Sequence, residues 1–310
     1  MDEFLLSGSD ILYLCAVTIA AQPMQHSPHT IGHLLRYTRQ SLAGLYPARE
    51  AQAICHLLLE DVLGISPAML YISLEQAVEA AQAQRVLSAA AQLRQGRPIQ
   101  HILGYAEFCG LKLRVDGRVL IPRPETEELV EWTLQHANAG AALRLLDVGT
   151  GSGCIAVAIA KRRPDAEVCA WDVSEEALTV ARKNARLNGA TVRFEKRDVL
   201  RCAGCSTPAY DFIVSNPPYV CESEKAQLHD NVLRYEPHAA LFVEDGNPLI
   251  FYSAIAELAQ TALREKGEIF VEVNERLGQA VVEVFIRSGF PSVALRSDVN
   301  GKPRMIRAKR

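Results

Sequence analysis

A chain of 310 residues exceeds one average domain of about 150 residues and fits two. Hydrophobic residues at 49% and charged residues at 22% give an ordinary globular balance, which excludes wholesale disorder and a collagen-like chain. With 33 Lys plus Arg against 36 Asp plus Glu, the net charge of −3 leaves no global basic field to hold a nucleic-acid backbone.

The eight cysteines are scattered, several within apolar runs, as expected of reduced thiols in a cytoplasmic protein. Cys202-Ala-Gly-Cys205 is a lone CxxC with no second pair at zinc spacing, so it reads as a loop and no metal is expected. At the start of the chain, the apolar run Ile11 to Ala21 is too short to span a bilayer. Asp2 and Glu3 precede it and no Lys or Arg appears before Arg36, which is the wrong flank for a secretory signal. Residues 1–23 are therefore either an extension outside the fold or an extra helix packed on the first domain.

Helical patterning runs from about Thr30 to Gln95. Ile54, Cys55, Leu58 and Val62 make an amphipathic stripe, and Gly64 supplies a stop. Ser73-Leu-Glu-Gln76 fits a capping box for a helix through Val78, Val86 and Leu93, which Gly96 and Pro98 break. The period then changes. Leu111, Leu113 and Val115 alternate with Lys112 and Arg114, Asp116-Gly117 offers a tight turn, and Val119-Leu-Ile121 follows, together a hairpin signal. Pro124-Glu-Thr-Glu-Glu128 opens a helix, with a residue lacking a donor and several acids at its positive end.

Leu143 to Val148 reads as a buried strand, followed by Gly149-Thr150-Gly151-Ser152-Gly153 and an apolar helix from Cys154. Strand, glycine-rich turn and helix make a nucleotide cradle. The third glycine comes one place earlier than the dinucleotide fingerprint requires. A second strand, Glu167 to Ala170, ends at Trp171-Asp172, where a carboxylate can accept both hydroxyls of a ribose. Ser174 caps the next helix, which Asn188-Gly189 stops. A third strand, Val192 to Glu195, leads to Asp198, placed to meet an adenine edge. A fifth, Glu268 to Val273, follows a helix closed by Gly267. After a helix over 277–288, Ser292 to Ser297 and Arg304 to Ala308 join across Asn300-Gly301 as a hairpin. A parallel sheet finished by such a hairpin resembles the seven-stranded fold of S-adenosylmethionine-dependent methyltransferases.

The fourth strand, Asp211 to Ser215, runs directly into Asn216-Pro217-Pro218-Tyr219. The prolines stiffen the loop and remove two backbone donors. The amide oxygen of Asn216 and the carbonyl of Pro217 can then accept both hydrogens of a planar NH2 group, with Tyr219 packing on its plane. Such a nitrogen is a poor nucleophile, so catalysis depends chiefly on aiming its lone pair. Exocyclic amines of bases and side-chain amides both fit this requirement.

The run Gly96 to Leu111, then Val119-Leu-Ile-Pro-Arg-Pro-Glu-Thr-Glu127, the glycine loop and Asn-Pro-Pro-Tyr closely resemble the PrmC/HemK family of release-factor glutamine methyltransferases, from about Thr30 to Arg307. The resemblance implies an α/β architecture: a seven-stranded, Rossmann-like class I methyltransferase domain with a C-terminal β-hairpin, preceded by a small N-terminal helical bundle. The expected division is an extension over 1–23, a substrate-recognition domain over 24–96, a β-hairpin linker over 97–124 and the methyltransferase domain over 125–310.

The implied activity is methylation, from S-adenosylmethionine, of the glutamine amide in the Gly-Gly-Gln loop of peptide chain release factors. By position, Gly149, Thr150, Gly151, Ser152 and Gly153 contact the cofactor, Asp172 holds its ribose, and Asp198 and Val199 meet the adenine. Asn216, Pro217, Pro218 and Tyr219 hold the glutamine, with Asn216 also near the cofactor. The expected partner is a release factor met by a monomer, with no membrane and no direct nucleic-acid contact. A nucleic-acid amino-methyltransferase would share Asn-Pro-Pro-Tyr but should carry a basic, aromatic-rich groove, and aromatics here are 6%. A binding module without turnover would not need the intact tetrapeptide.

Overall fold

The computed structural model describes residues 29–137, 142–202 and 209–310. The segment 1–23 and Cys205 of the CxxC pair lie outside the described residues. The chain divides into two compact units, Met1–Arg94 and Gln95–Arg310.

The described part of the first unit is helical: α1 (Ile31–Leu42), α2 (Ala48–Leu63), α3 (Pro67–Ile72) and α4 (Ala80–Arg94). Thr30 caps α1 by accepting the amide of His33 at 3.2 Å. The α2 stripe buries Ile54, Cys55, Leu58 and Val62, as its spacing requires, and Gly64 ends the helix in a left-handed conformation. The Ser73–Gln76 capping box does not form. The Gln76 carbonyl instead accepts the Ile31 amide at 3.1 Å and the Val78 amide donates to His29 at 2.7 Å, so α4 begins later, at Ala80. Backbone pairing with a distant segment outcompetes the local cap.

The second unit opens with α5 (Ile99–Leu103) and a hairpin of β1 (Tyr105–Phe108) and β2 (Leu111–Arg114). Its register pairs Phe108 with Leu111, so the turn is Cys109-Gly110 and not Asp116-Gly117. Both turn residues have positive φ, +49° and +73°, the twist a two-residue hairpin needs. Cysteine is an unusual occupant there, which hid the turn. Asp116 instead holds the amide and guanidinium of Arg118. Val119 and Ile121 form no strand. They pack on Ala177 and Val180, and the Ile121 amide donates to the buried carboxylate of Glu236 at 2.9 Å.

Next come α6 (Pro124–His136), β3 (Arg144–Val148), α7 (Cys154–Arg162), β4 (Glu167–Asp172), α8 (Glu175–Asn188), β5 (Arg193–Lys196) and β6 (Tyr210–Ser215). Short β7 (Val220–Cys221), α9 (Asp230–Tyr235) and β8 (Phe242–Val243) precede α10 (Ile250–Ala262), β9 (Leu263–Glu272), α11 (Gly278–Arg287), β10 (Ser292–Ser297) and β11 (Pro303–Lys309). The seven-stranded sheet has the order β10-β11-β9-β6-β3-β4-β5. Its strands are parallel from β9 to β5, and β11 and β10 close it antiparallel. This is the Rossmann-like methyltransferase architecture with its C-terminal hairpin.

Alternation along each strand feeds two cores. Leu146, Cys169, Ile213 and Val271 face α10 and α11. Leu145, Val168, Val214 and Phe270 face α6 and α7. Such sandwiched strands are apolar on both faces, and so β3, β4 and β6 read as continuous hydrophobic runs.

Gly267 does not close a helix. The preceding helix ends at Ala262, and Gly267 lies inside β9, where the register slips between Tyr210 opposite Leu263 and Phe212 opposite Glu268. A Cβ at Gly267 would lie 2.6 Å from Leu263 Cγ and 2.9 Å from the Asp211 carbonyl oxygen, so close backbone approach demands glycine.

The order of connections places the site. From β3 the chain builds outward through β4 and β5, then returns to place β6 on the other side of β3. The crevice beyond the carboxyl ends of β3 and β6 is therefore the switch point, where ligands bind in open α/β sheets.

Candidate active site

A cavity of about 270 Å³ opens at that switch point. One wall is the turn between β3 and α7. Gly149, Gly151 and Gly153 have φ of +72°, +54° and +81°, values that L side chains rarely adopt. Beneath the turn, Asp147 is fully buried. Its Oδ2 accepts the Thr150 hydroxyl at 2.6 Å and the Ala156 amide at 3.2 Å. Burial pushes its carboxyl up to about 7, against the pull of those two bonds.

Several loop amides turn toward β4 and away from the cavity. The amides of Gly149 and Thr150 both donate to the Trp171 carbonyl at 2.9 Å. The Gly151 amide donates to Asp172 Oδ2 at 2.8 Å, while Asp172 Oδ1 accepts the Ser174 amide at 2.9 Å. Asp172 therefore locks the turn to the end of β4. Burial raises its carboxyl above the usual range, and the amides of Ser174 and Gly151 oppose the rise.

Gly149, Thr150, Gly151 and Ser152 line the cavity together with Asp172, Asp198, Val199, Asn216, Pro217 and Pro218. Two sequence-predicted residues stand elsewhere. A Cβ on Gly153 would lie 3.0 Å from Ala181 Cβ, so its smallness lets α7 and α8 pack. Tyr219 does not set its ring in the cavity wall. It packs against the core on the α10 face, and its hydroxyl donates to Glu272 Oε1 at 3.0 Å. Asp198 caps the short 3-10 turn Val199–Arg201 by accepting the Leu200 amide at 3.0 Å.

The opposite corner holds residues that sequence reading missed. Asn216 Nδ2 donates to Thr126 Oγ1 at 3.1 Å, and the Thr126 hydroxyl donates to Glu272 Oε2 at 2.7 Å. Glu272 is 1% exposed. Burial raises its carboxyl, against the Thr126 and Tyr219 hydrogen bonds and the Arg304 charge. Burial and the Glu272 charge together raise the Tyr219 hydroxyl well above its ordinary range. Asn216 Oδ1 has no hydrogen-bond partner among the described residues. The acid at the end of β9 carried no local motif, although its place beside a strand of the parallel sheet could have drawn attention to it.

Pro122 and Arg123 complete this side. Glu236, 5% exposed, receives the Arg123 guanidinium on Oε1 at 2.6 Å and the Ile121 amide on Oε2. One buried carboxylate thus anchors the stretch before α6. The arrangement offers a glycine-turn recess with an acid at the end of β4, beside an amide oxygen free to accept a hydrogen. Among the described residues no cluster of three or more His, Cys, Asp or Glu could hold a metal ion.

Two family profiles match the chain: the methyltransferase small domain over residues 126–247 and the PrmC N-terminal domain over residues 33–104. A protein of Bacteroides thetaiotaomicron named release factor glutamine methyltransferase is 44% identical over 280 residues, spanning 90% of this chain and 100% of the relative. One of the same name from Flavobacterium psychrophilum is 41% identical over 86% of this chain and 95% of its own. Another, from Streptococcus pneumoniae, is 46% identical over 69% of this chain and 76% of its own.

Proposed function

Because the chain belongs to the family of release factor glutamine methyltransferases, we propose that it methylates the side-chain amide nitrogen of the glutamine in the Gly-Gly-Gln loop of peptide chain release factors, giving N5-methylglutamine. The observation that carries this reading is the Asn216 amide. Its nitrogen is committed to Thr126 and its oxygen is free, in the cavity that the glycine turn also lines.

The cavity fits S-adenosylmethionine. Each oxygen of Asp172 accepts one backbone amide, which leaves lone pairs for two ribose hydroxyls. The recess between the glycine turn, Asp198 and Val199 takes the nucleoside. Bound there, the cofactor supplies an electrophilic methyl group on a sulfonium.

The chain's own part is placement. Asn216 Oδ1 and the Pro217 carbonyl accept the two hydrogens of the substrate amide and fix its plane, so that its lone pair points at the methyl carbon. The rigid prolines hold both acceptors without needing the loop to order at each turnover. Accepting the two N–H bonds also raises electron density on nitrogen as the new bond forms. No strong base is required beforehand, since the proton leaves after transfer. Tyr219 supports the corner from behind, through Glu272.

The helical first unit helps engage the release factor, and the protein works as a monomer in the cytoplasm, without direct contact to nucleic acid. No helix of the described residues is long and apolar enough to cross a membrane. Incubation with methyl-labelled S-adenosylmethionine and either release factor or DNA tests the reading. Label should appear on the release-factor glutamine, and label in DNA alone would overturn the assignment in favour of a base amino-methyltransferase.

A further inference from the structure

Three residues far apart in sequence meet behind the free amide oxygen. Thr126 lies in the first turn of α6, Asn216 follows β6, and Glu272 ends β9. Thr126 is 2% exposed and Glu272 1%, so water does not compete for their hydrogen bonds. The polarity of the chain follows from hydrogen counting. Glu272 accepts on both oxygens, from Thr126 on Oε2 and from Tyr219 on Oε1. A threonine hydroxyl has one hydrogen, and here it goes to Glu272. What Thr126 Oγ1 can still offer Asn216 is a lone pair. Only the NH2 end of the Asn216 amide can meet a lone pair, and so the oxygen end must turn toward the cavity.

We propose that Thr126 and Glu272 are positioning residues of the methyl-transfer step, forming a one-way hydrogen-bond relay that holds the Asn216 amide with its oxygen toward the substrate. This rests on the reading that Asn216 Oδ1 holds a hydrogen of the substrate amide. Neither residue touches substrate. They decide which of two nearly isosteric ends of Asn216 does. A flipped Asn216 would present two hydrogens to an NH2 group that itself has two, and the contact would become repulsive.

The test uses the full chain, release factor and labelled S-adenosylmethionine. Thr126→Val keeps the shape and removes the lone pair. It should lower kcat by about ten- to a hundred-fold, the scale of a misplaced reacting group, with KM for S-adenosylmethionine and affinity for S-adenosylhomocysteine within about two-fold. Thr126→Ser restores the hydroxyl and should recover kcat to within a few-fold. Glu272→Met keeps the length of the side chain and removes both acceptors, so the Thr126 hydrogen is free to turn toward Asn216. Its kcat should fall by a similar factor, with affinity for S-adenosylhomocysteine again within about two-fold.

A double-mutant cycle separates relay from scaffold. If Thr126 acts through Asn216, Thr126→Val should cost nothing further in single-turnover methylation by Asn216→Ala. Wild-type kcat in Thr126→Val or in Glu272→Met overturns the relay, as does an undiminished Thr126→Val effect in the Asn216→Ala background. Should Thr126→Val fail to fold, Thr126→Ser and Glu272→Met decide, with failure of Thr126→Ser to support turnover counting against the relay. Wild-type methylation by Asn216→Ala is a different result, since it removes the assignment on which the relay rests.

Discussion

At the glycine-turn wall of the cavity, Asp147 bonds Thr150 three residues away and Ala156 nine away, and Asp172 reaches Gly151 across 21 residues. At the Asn216 corner the partners are 90 residues apart for Asn216 and Thr126, and 146 for Thr126 and Glu272. One wall is nearly complete within a single strand-turn-helix-strand unit. The other exists only once α6, β6 and β9 are assembled side by side. The difference separates two kinds of damage. Lesions in the local wall should reach cofactor affinity and stability together, because the same atoms serve both. Lesions at the assembled corner should reach turnover and leave affinity in place.

The largest expected effect tests the corner. Asn216→Ala should reduce single-turnover methylation by about a hundred-fold or more, since displacing the reacting nitrogen by about 1 Å has that scale. Affinity for S-adenosylhomocysteine and melting temperature, measured on the same preparation, should change little. A well-folded variant with normal methylation would end the assigned role.

Gly153→Ala tests whether the third glycine belongs to ligand or to packing. With φ at +81° and Ala181 Cβ 3.0 Å from the added methyl, the variant should lose about 1–3 kcal/mol of stability and melt several degrees lower. A loss of cofactor affinity without a fall in melting temperature would return Gly153 to the cavity side.

Asp172→Ala should weaken S-adenosylhomocysteine binding by about ten-fold or more, the loss of a charge-assisted contact. The variant also strands the Gly151 and Ser174 amides, so its melting temperature should fall as well. Asp172→Asn retains an acceptor and should recover part of the stability and less of the affinity. Calorimetry showing unchanged affinity for Asp172→Ala would remove the residue from the ribose.

The smallest effect is a slope. The Asp147 carboxyl sits at about 7 in the folded chain, above its ordinary unfolded value, so folding favours its protonated form. That contribution is full below the unfolded value of about 4 and is lost as pH rises through about 7, by up to roughly 1.4 kcal/mol per pH unit. Asp147→Asn should flatten this part of the stability-versus-pH curve between pH 5 and pH 7, read by denaturant titration at each pH. An unchanged slope would show that another group carries it.

The local wall was legible because its signals are local. Positive φ favours glycine, a helix start favours a capping residue, and Asp172 ends an apolar run; each can be read within a short window. Tyr219 was legible as a member of the loop but misread in orientation. Its ring turns inward because Glu272, far along the chain, offers its hydroxyl an acceptor. The Asp116-Gly117 turn failed for a related reason. The strand it needed, Val119 to Ile121, is drawn off by Glu236 and by α8, whereas Cys109-Gly110 closes the hairpin at once.

By itself the sequence determined the parallel strands, the helix boundaries set by Thr30, Gly64, Pro124 and Gly189, the glycine turn and the Asn-Pro-Pro-Tyr loop. Periodicity, caps and φ restrictions act over a few residues, and no tertiary contact needs to be known to apply them. Only the tertiary structure decided which end of the Asn216 amide faces the cavity, that Gly153 serves helix packing, and that Glu272 stands behind the site. Those outcomes depend on hydrogen-bond partners supplied by strands and helices that meet only when the sheet closes, and a buried donor or acceptor commits to whatever the fold brings within about 3 Å of it.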